Sequence, residues 1–337
     1  MKDYVDLILN WYILNKRDLP WRWDKNPYHV WISEIMLQQT RIEAVIDYYH
    51  RFLEKIPTIR DLAAISEDEL LKLWEGLGYY SRARNLKKAA MKIMDEYHGV
   101  FPSEYSSIIQ LPGIGEYTAG AISSICFNQK EVAIDGNVMR VYCRVLNLDL
   151  DVSDLRVKKE IAKKIKEILP DNSGDFNQGI MELGETVCIP GGVPKCDVCP
   201  LKEKCLAHRM GREALIPQKI KKSKLPEEEY TVFIIQCGEH FALHKRGAGL
   251  LQNMWEFPNQ EGFISSKDIS FPKVLSIEKD VSSNHTFSHK KWILKSYHIA
   301  VEEEFGDYTW VSIDEIDSSY AIPTAFLPFY KSIKKRQ

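Results

Sequence analysis

Two carboxylic acids in this chain sit in opposite surroundings. Glu34 lies within Trp31-Ile32-Ser33-Glu34-Ile35-Met36-Leu37, an otherwise apolar helical run. An acid there faces either a narrow solvated strip or the interior. If buried, it loses hydration, its pKa rises and it keeps its proton near neutrality, as a general acid must. Asp135 follows Val132-Ala133-Ile134 and precedes Gly136-Asn137, at a helix start whose free N–H groups favour the ionised form. An ionised carboxylate can face a developing positive charge. One protonated and one ionised carboxyl are what cleavage of a glycosidic bond requires. Either acid alone is more often structural.

Four of the seven cysteines, Cys188, Cys196, Cys199 and Cys205, crowd into eighteen residues with seven, two and five residues between them. In a reducing compartment such a group points to a metal, not to disulfides. Four thiolates in a short irregular loop can hold a [4Fe–4S] cluster or a tetrahedral zinc. The unequal spacings differ from the paired units of zinc ribbons.

Leu111-Pro112-Gly113-Ile114-Gly115 precedes a helix start. Gly113 and Gly115 can take positive φ and let another backbone come close. A glycine-rich hairpin whose N–H groups point out of a helix N-terminus is an anion site, and a nucleic-acid phosphate is one candidate ligand. The alternative is a plain turn, with Asp135 a plain helix cap.

These residues need elements to position them. A length of 337 residues with 45% apolar content allows two globular domains. The first two hundred residues read almost wholly as helices: Tyr4 to Leu14, Val30 to Leu37 after Pro27, Ile42 to Lys55 capped by Thr40, a capping box at Ser66 to Glu69, then Arg82 to Tyr97. Val138 to Leu146, Asp154 to Leu169 and Phe176 to Val187 follow. Residues 210–229 carry Pro217, Pro226 and Lys219, Lys221, Lys222 and Lys224, the composition of an exposed linker. Beyond it the period turns to two, with strands expected at Tyr230 to Cys237, His240 to His244, Lys291 to Ala300 and Tyr308 to Val311. The basic tail Lys331 to Arg336 reads as a solvated helix end. Net charge is −2, which argues against indiscriminate coating of nucleic acid but leaves room for local basic patches. No apolar run approaches the ~20 residues of a membrane span. The acids in the first helix make it a poor signal peptide. A monomeric cytoplasmic protein without a membrane is expected.

Taken together, WISEIMLQQTR, LPGIGEYTAGAI and IDGNVMRV resemble the MutY family of helix-hairpin-helix DNA glycosylases in order and spacing. The resemblance implies a multidomain fold: a mostly α glycosylase domain over 1–209 with a cluster loop at 188–205, then an α+β MutT/Nudix-like domain over 230–337. It implies that Glu34 protonates adenine and that Asp135 stabilises the oxocarbenium ion, with Tyr117 and Asn137 assisting. Relatives resembling endonuclease III carry a lysine where this chain has Tyr117. A tyrosine cannot form a Schiff base, so base removal without efficient lyase chemistry is expected. A pyrimidine glycosylase/lyase of the endonuclease III kind is the rival.

The same resemblance assigns the four cysteines to a [4Fe–4S] cluster. That family usually has six residues between its first two cysteines and here there are seven, a difference Gly191-Gly192 can absorb. Lys195, Lys202, Lys204 and Arg209 would then lie near a phosphate backbone. Reaching a stacked base requires flipping it out and filling the gap. Leu37, Gln38, Gln39, Thr40 and Tyr79 match the family's wedge and its contacts to the opposite base, and Arg22 and Trp21 its residues near the adenine pocket. In the last domain, Phe287, Ser288 and His289 match the loop that reads 8-oxoguanine. The glutamate-rich magnesium helix of true Nudix hydrolases is missing, so this domain should bind and not hydrolyse. The expected partner is double-stranded DNA with adenine opposite 8-oxoguanine or guanine.

Overall fold

A computed structural model describes residues 2–218 and 224–336. They form two compact units, Met1–Ala64 with Asn85–Lys222, and Ile65–Arg84 with Ser223–Gln337. The sequence places all of 1–209 in one domain, whereas Ile65–Arg84 groups with the C-terminal unit. Of the expected linker, Lys219, Lys221 and Lys222 lie outside the described residues.

The first unit is helical: α1 (Lys2–Asn15), α2 (Pro27–Met36), α3 (Ile42–Lys55) and α4 (Ile59–Ala64), with α5 (Glu67–Leu73) and the start of α6 (Ser81–Tyr97) assigned to the other unit. It continues with α7 (Tyr105–Ile108), α8 (Glu116–Phe127), α9 (Gly136–Val145), α10 (Leu155–Lys166), α11 (Ser173–Thr186) and α12 (Leu206–Arg209). Pro27 occupies the first turn of α2, where its missing N–H costs nothing, and Asn26 caps it by accepting from the Tyr28 N–H at 2.9 Å. Every residue from Val30 to Met36 is buried, so α2 is a core helix and Glu34 has no solvated strip. Thr40 does not cap α3; Arg41 stands at the cap position and makes no side-chain cap bond.

Packing of α2 on α8 and of α8 on α11 brings the two acids to one region. The close approach depends on Gly120. A Cβ there would meet the Val132 carbonyl oxygen at 1.9 Å, so only glycine lets the segment leading to Asp135 cross α8 this closely. Asn177 on α11 holds the same segment, donating to Ser124 Oγ at 2.9 Å and the Glu131 carbonyl at 2.8 Å. A second apolar core joins α1, α9, α10 and α11 through Val5, Ile8, Val138, Val141, Ile161 and Phe176.

The second unit holds a mixed sheet of β1 (Glu227–Cys237), β2 (His240–Lys245), β3 (Trp255–Glu256), β4 (Asn259–Glu261), β5 (Val274–Thr286), β6 (Lys291–Val301) and β7 (Thr309–Val311). The order is β3-β2-β1-β6-β5, with β1 and β6 parallel and the other pairings antiparallel. The strand β5 escapes a sequence reading because VLSIEKDVSSNHT is mostly polar; it pairs only with β6, at the sheet edge. Helices α13 (Ile313–Ser319) and α14 (Leu327–Lys334) complete the unit. The basic tail is a solvated helix end, with Lys331, Lys334, Lys335 and Arg336 exposed beside the buried face of α14. Phe329, Tyr330 and Ile333 are buried, Lys334 pairs with Asp317 at 2.5 Å and Arg336 with Asp280 at 3.0 Å.

The polar bonds of α5 explain why it belongs here. Its box is closed by Ser66 and Glu69, as the sequence predicts. Lys72 Nζ donates to the carbonyls of Ile316 at 3.0 Å and Tyr320 at 3.2 Å, and Asp68 pairs with Lys245 at 2.7 Å. Among the described residues no helix is long and apolar enough to cross a membrane.

Candidate active site

A cleft of about 590 Å³ opens in the helical unit. Arg22, Glu34, Leu37, Gln38, Gln39, Thr40, Gly115, Tyr117, Asp135 and Asn137 all line it, as does Trp21. Eleven of the residues singled out by sequence therefore meet at one place, and the volume is that of an ordinary small-ligand site.

Glu34 is 8% exposed, and its Oε2 is buried with no hydrogen-bond partner. Burial pushes its carboxyl up to about 7, the charge of Asp135 adds to the rise, and the Tyr117 hydroxyl and Arg22 oppose it. Tyr117 is half-buried, and its hydroxyl donates to Met181 sulfur at 3.3 Å.

Asp135 caps α9. Its Oδ1 accepts from the Val138 N–H at 2.8 Å and its Oδ2 from Asn137 Nδ2 at 2.7 Å. Burial nevertheless raises its pKa, against the pull of those donors and of Arg140. The helix start alone predicts the opposite sign; desolvation by burial outweighs it. The two acids still differ. Asp135 has two donors for its anion, while Glu34 Oε2 has none, an asymmetry that favours the proton on Glu34.

Arg140 connects this site to the cysteine loop. Its Nη2 donates to Asn137 Oδ1 and to the Gly184 carbonyl, each at 2.8 Å, and its Nε to the Cys188 carbonyl at 2.8 Å. Nothing in the sequence around Arg140 marks it for this role.

Gly113 lies outside the cleft, in the hairpin before α8. Its φ is +78° and a Cβ would meet Asn85 at 2.6 Å, so the turn requires glycine twice over. Gln39, just after α2, holds φ +58°, a left-handed conformation unusual for a side-chain-bearing residue and common at binding sites.

The other predicted contacts fall in the second unit. Tyr79, Phe287, Ser288 and His289 line a cleft of about 350 Å³ together with Arg84 and Leu250. Tyr79 is not a core tyrosine: it is 44% exposed at φ +47°. Buried Arg82 pins its loop by donating to the carbonyls of Leu77 and Gly78 at 3.1 and 3.0 Å. Phe287 packs edge-on against Trp292, and Ser288 and His289 are exposed at the turn between β5 and β6.

Cys188, Cys196, Cys199 and Cys205 surround one small apolar cavity. Arg144 Nη1 donates to Cys188 sulfur at 3.2 Å. Backbone N–H groups of Ala207 and His208 point at Cys205, and that of Leu201 at Cys199. Donors aimed at sulfur suit thiolate ligands. Four thiolates on one tetrahedral zinc stand about 3.8 Å apart, given bonds of ~2.3 Å. Among the described residues, the one group of three or more ligand atoms within 4.8 Å of one another is Cys196 with His208 and Glu213. Of the lysines expected along this loop, Lys202 is paired with Asp197 at 2.8 Å and Lys204 with Asp3 at 2.9 Å.

Residues 32–170 match the HhH-GPD superfamily base excision DNA repair protein model, and residues 231–332 match a NUDIX domain. An adenine DNA glycosylase of Buchnera aphidicola subsp. Acyrthosiphon pisum is 39% identical over 298 residues, spanning 85% of this chain and 83% of that protein. The chain belongs to the adenine DNA glycosylases. Solved structures carry the fold further. A thermostable thymine-DNA glycosylase superposes with a TM-score of 0.57 at 29% identity, over 62% of this chain and 96% of that one. An endonuclease III in a non-covalent complex with DNA gives 0.53 at 25% identity, over 63% and 98%. The helix-hairpin-helix domain followed by an α+β Nudix-like domain, expected from the motifs, is the architecture of this adenine DNA glycosylase.

The motif reading missed several residues on the cleft, among them Glu182, Glu185, Lys158 and Gln178. Glu182 had a usable signal, an acid between Met181 and Leu183 in an apolar helix stretch, the same kind that marks Glu34.

Proposed function

We propose that this adenine DNA glycosylase removes adenine paired with 8-oxoguanine, and with guanine, by hydrolysing the N-glycosidic bond. Glu34 delivers its proton to the departing adenine. Asp135, as the anion, faces the positive charge that develops on the sugar, and water completes the exchange to leave an abasic site. Tyr117 and Asn137 set the two carboxyls: the first stands against Glu34, and the second donates to Asp135. The single observation that carries this reading is the pairing in one cleft of a buried carboxyl with one oxygen left without a partner and a carboxyl held by two donors.

The flipped base enters the cleft of the helical unit. Leu37, Gln38, Gln39 and Thr40 at its rim, and Tyr79 on its pinned loop, engage the gap and the opposite base. Gly113 and Gly115 present the hairpin to a phosphate. The cleft with Phe287, Ser288 and His289 reads 8-oxoguanine without hydrolysing nucleotides. The cysteine loop holds a [4Fe–4S] cluster through Cys188, Cys196, Cys199 and Cys205, which their common cavity and the surrounding donors support. The cluster's role is to stiffen the loop, and no step of base removal passes through it.

One set of assays tests the whole reading. Duplexes with adenine opposite 8-oxoguanine, guanine, cytosine or thymine are given to the purified chain and to Glu34→Gln, with iron content and the ~400 nm absorbance of a protein-bound cluster recorded alongside. Excision confined to the first two duplexes and lost in Glu34→Gln is expected. Borohydride-trapped adducts with strand nicking at pyrimidines would instead establish the endonuclease III-like rival.

A further inference from the structure

One wall of the cleft rests on a buried ion network. Glu182 on α11 is 1% exposed. Its Oε1 accepts from Arg17 Nε at 2.6 Å, and its Oε2 from Arg17 Nη2 at 3.0 Å and Arg22 Nη2 at 2.8 Å. Arg22 is held at a second point, with Nη1 donating to the Arg17 carbonyl at 3.1 Å, and its guanidinium lies 5.6 Å from the Tyr12 ring. Its Nε is buried without a partner. Both Arg22 and Glu182 line the cleft that contains Glu34.

A cation fixed beside an acid favours loss of the acid's proton. Arg22 pulls the Glu34 carboxyl in that direction, against burial and the Asp135 charge. Glu182 must therefore do more than hold Arg22 still. Burial pushes its own carboxyl up, but Arg17 and Arg22 outweigh that and hold it below the ordinary value, so it is an anion at working pH. Arg17 in turn is shared with Glu185, at 2.9 Å.

We propose that Glu182 is a positioning residue for base excision: it fastens Arg22 to the cleft wall and offsets that cation, so that Glu34 keeps the proton it must deliver. The remaining charged and titratable groups around Glu34 are Glu116, Tyr117 and Cys126 on α8, Asp135 before α9, Lys158 on α10 and Glu185 on α11. Of the described groups on the cleft, Arg22 is the cation on which Glu182 acts directly.

The proposal rests on Glu34 being the acid. Its test is single-turnover excision of adenine opposite 8-oxoguanine, with enzyme saturating, followed across pH in the full chain. Removing the charge in Glu182→Gln should move the basic limb down by about one pH unit, so that the rate falls about tenfold above neutrality and approaches the parent rate in mild acid. Glu182→Asp, which keeps the charge, should bring the limb back toward the parent position. A loss of equal size at every pH, with the limb in place, would overturn the proposal. Should Glu182→Gln fail to fold, Arg22→Met gives an independent arm: deleting the cation should raise the limb, and an unmoved limb is the contrary result. An active Glu34→Gln enzyme would sink the reading of Glu34 as the acid. An inactive one, with an unmoved limb in Glu182→Gln, would sink this inference alone.

Discussion

At position 34 a carboxyl is largely stripped of water and has one oxygen without a partner, and its pKa of about 7 has a cost as well as a use. The sign follows from linkage. The folded value lies above the ordinary 4.5, so the folded state binds the extra proton, and stability falls as pH rises from about 4.5 through 7. Glu34→Gln should therefore raise the melting temperature at pH 8, by a free energy on the order of 3 kcal/mol, and change it little at pH 4. Thermal unfolding of both proteins at the two pH values checks this. The same proton governs the rate: excision should decline as pH rises through about 7, because the ionised Glu34 has nothing to donate. A single-turnover profile that stays flat from pH 6 to 9 would contradict it. Replacing the acid should also slow excision by roughly a hundredfold or more while leaving duplex binding in place, read by gel shift against single-turnover rate.

Elements matter here through how closely they approach one another. Helix α8 and the segment before Asp135 touch at Gly120, where a Cβ has no room. Gly120→Ala should cost about 3 kcal/mol or more by forced separation, whereas Gly136→Ala, with nothing within 4 Å of its Cβ, should leave the melting temperature nearly unchanged. Comparing the two by thermal unfolding separates packing from helix propensity. The link between α9 and the cysteine loop is polar instead. Arg140 satisfies the carbonyls of Gly184 and Cys188 and holds Asn137. Arg140→Met strands the Gly184 carbonyl, worth about 1–3 kcal/mol when unmet, and leaves the Cys188 carbonyl to Arg144 at 3.2 Å. It should lower both the melting temperature and the excision rate at unchanged duplex affinity. A purely thermal effect would mean that Asn137 keeps Asp135 in place unaided.

On the scale of the whole chain, the two compact units do not follow the linker. Residues Ile65–Arg84 fold with the C-terminal unit although they lie in the middle of the helical half of the sequence. Truncation after residue 222 removes the carbonyl partners of Lys72 and the Lys245 partner of Asp68. Hydrogen exchange in 65–84 should then become much faster in the truncated protein than in the full chain, with 116–145 less affected. Equal protection in both proteins would show that the segment folds by itself. The charge balance of −2 hides another property at this scale: several basic side chains at the cysteine loop and the C-terminal tail are already matched by acids.

The sequence by itself determined the chemistry-bearing residues, because their types and spacing are local facts. An acid in an apolar run, a glycine hairpin before a helix and four clustered cysteines need no neighbours to be noticed. It also determined most helices and four of the strands, since their periodicities are written along the chain. Tertiary structure alone decided what depends on contacts between distant segments. The polar strand β5 exists because β6 offers it a ladder. Asp135 is raised and not lowered because burial dehydrates it beyond what its cap restores. Glu182 meets Arg17 and Arg22 across some 160 residues of chain, and no pattern in the sequence announces which buried acid will hold which arginine. Burial is a property of the packed molecule, and the charge state of each acid follows from burial.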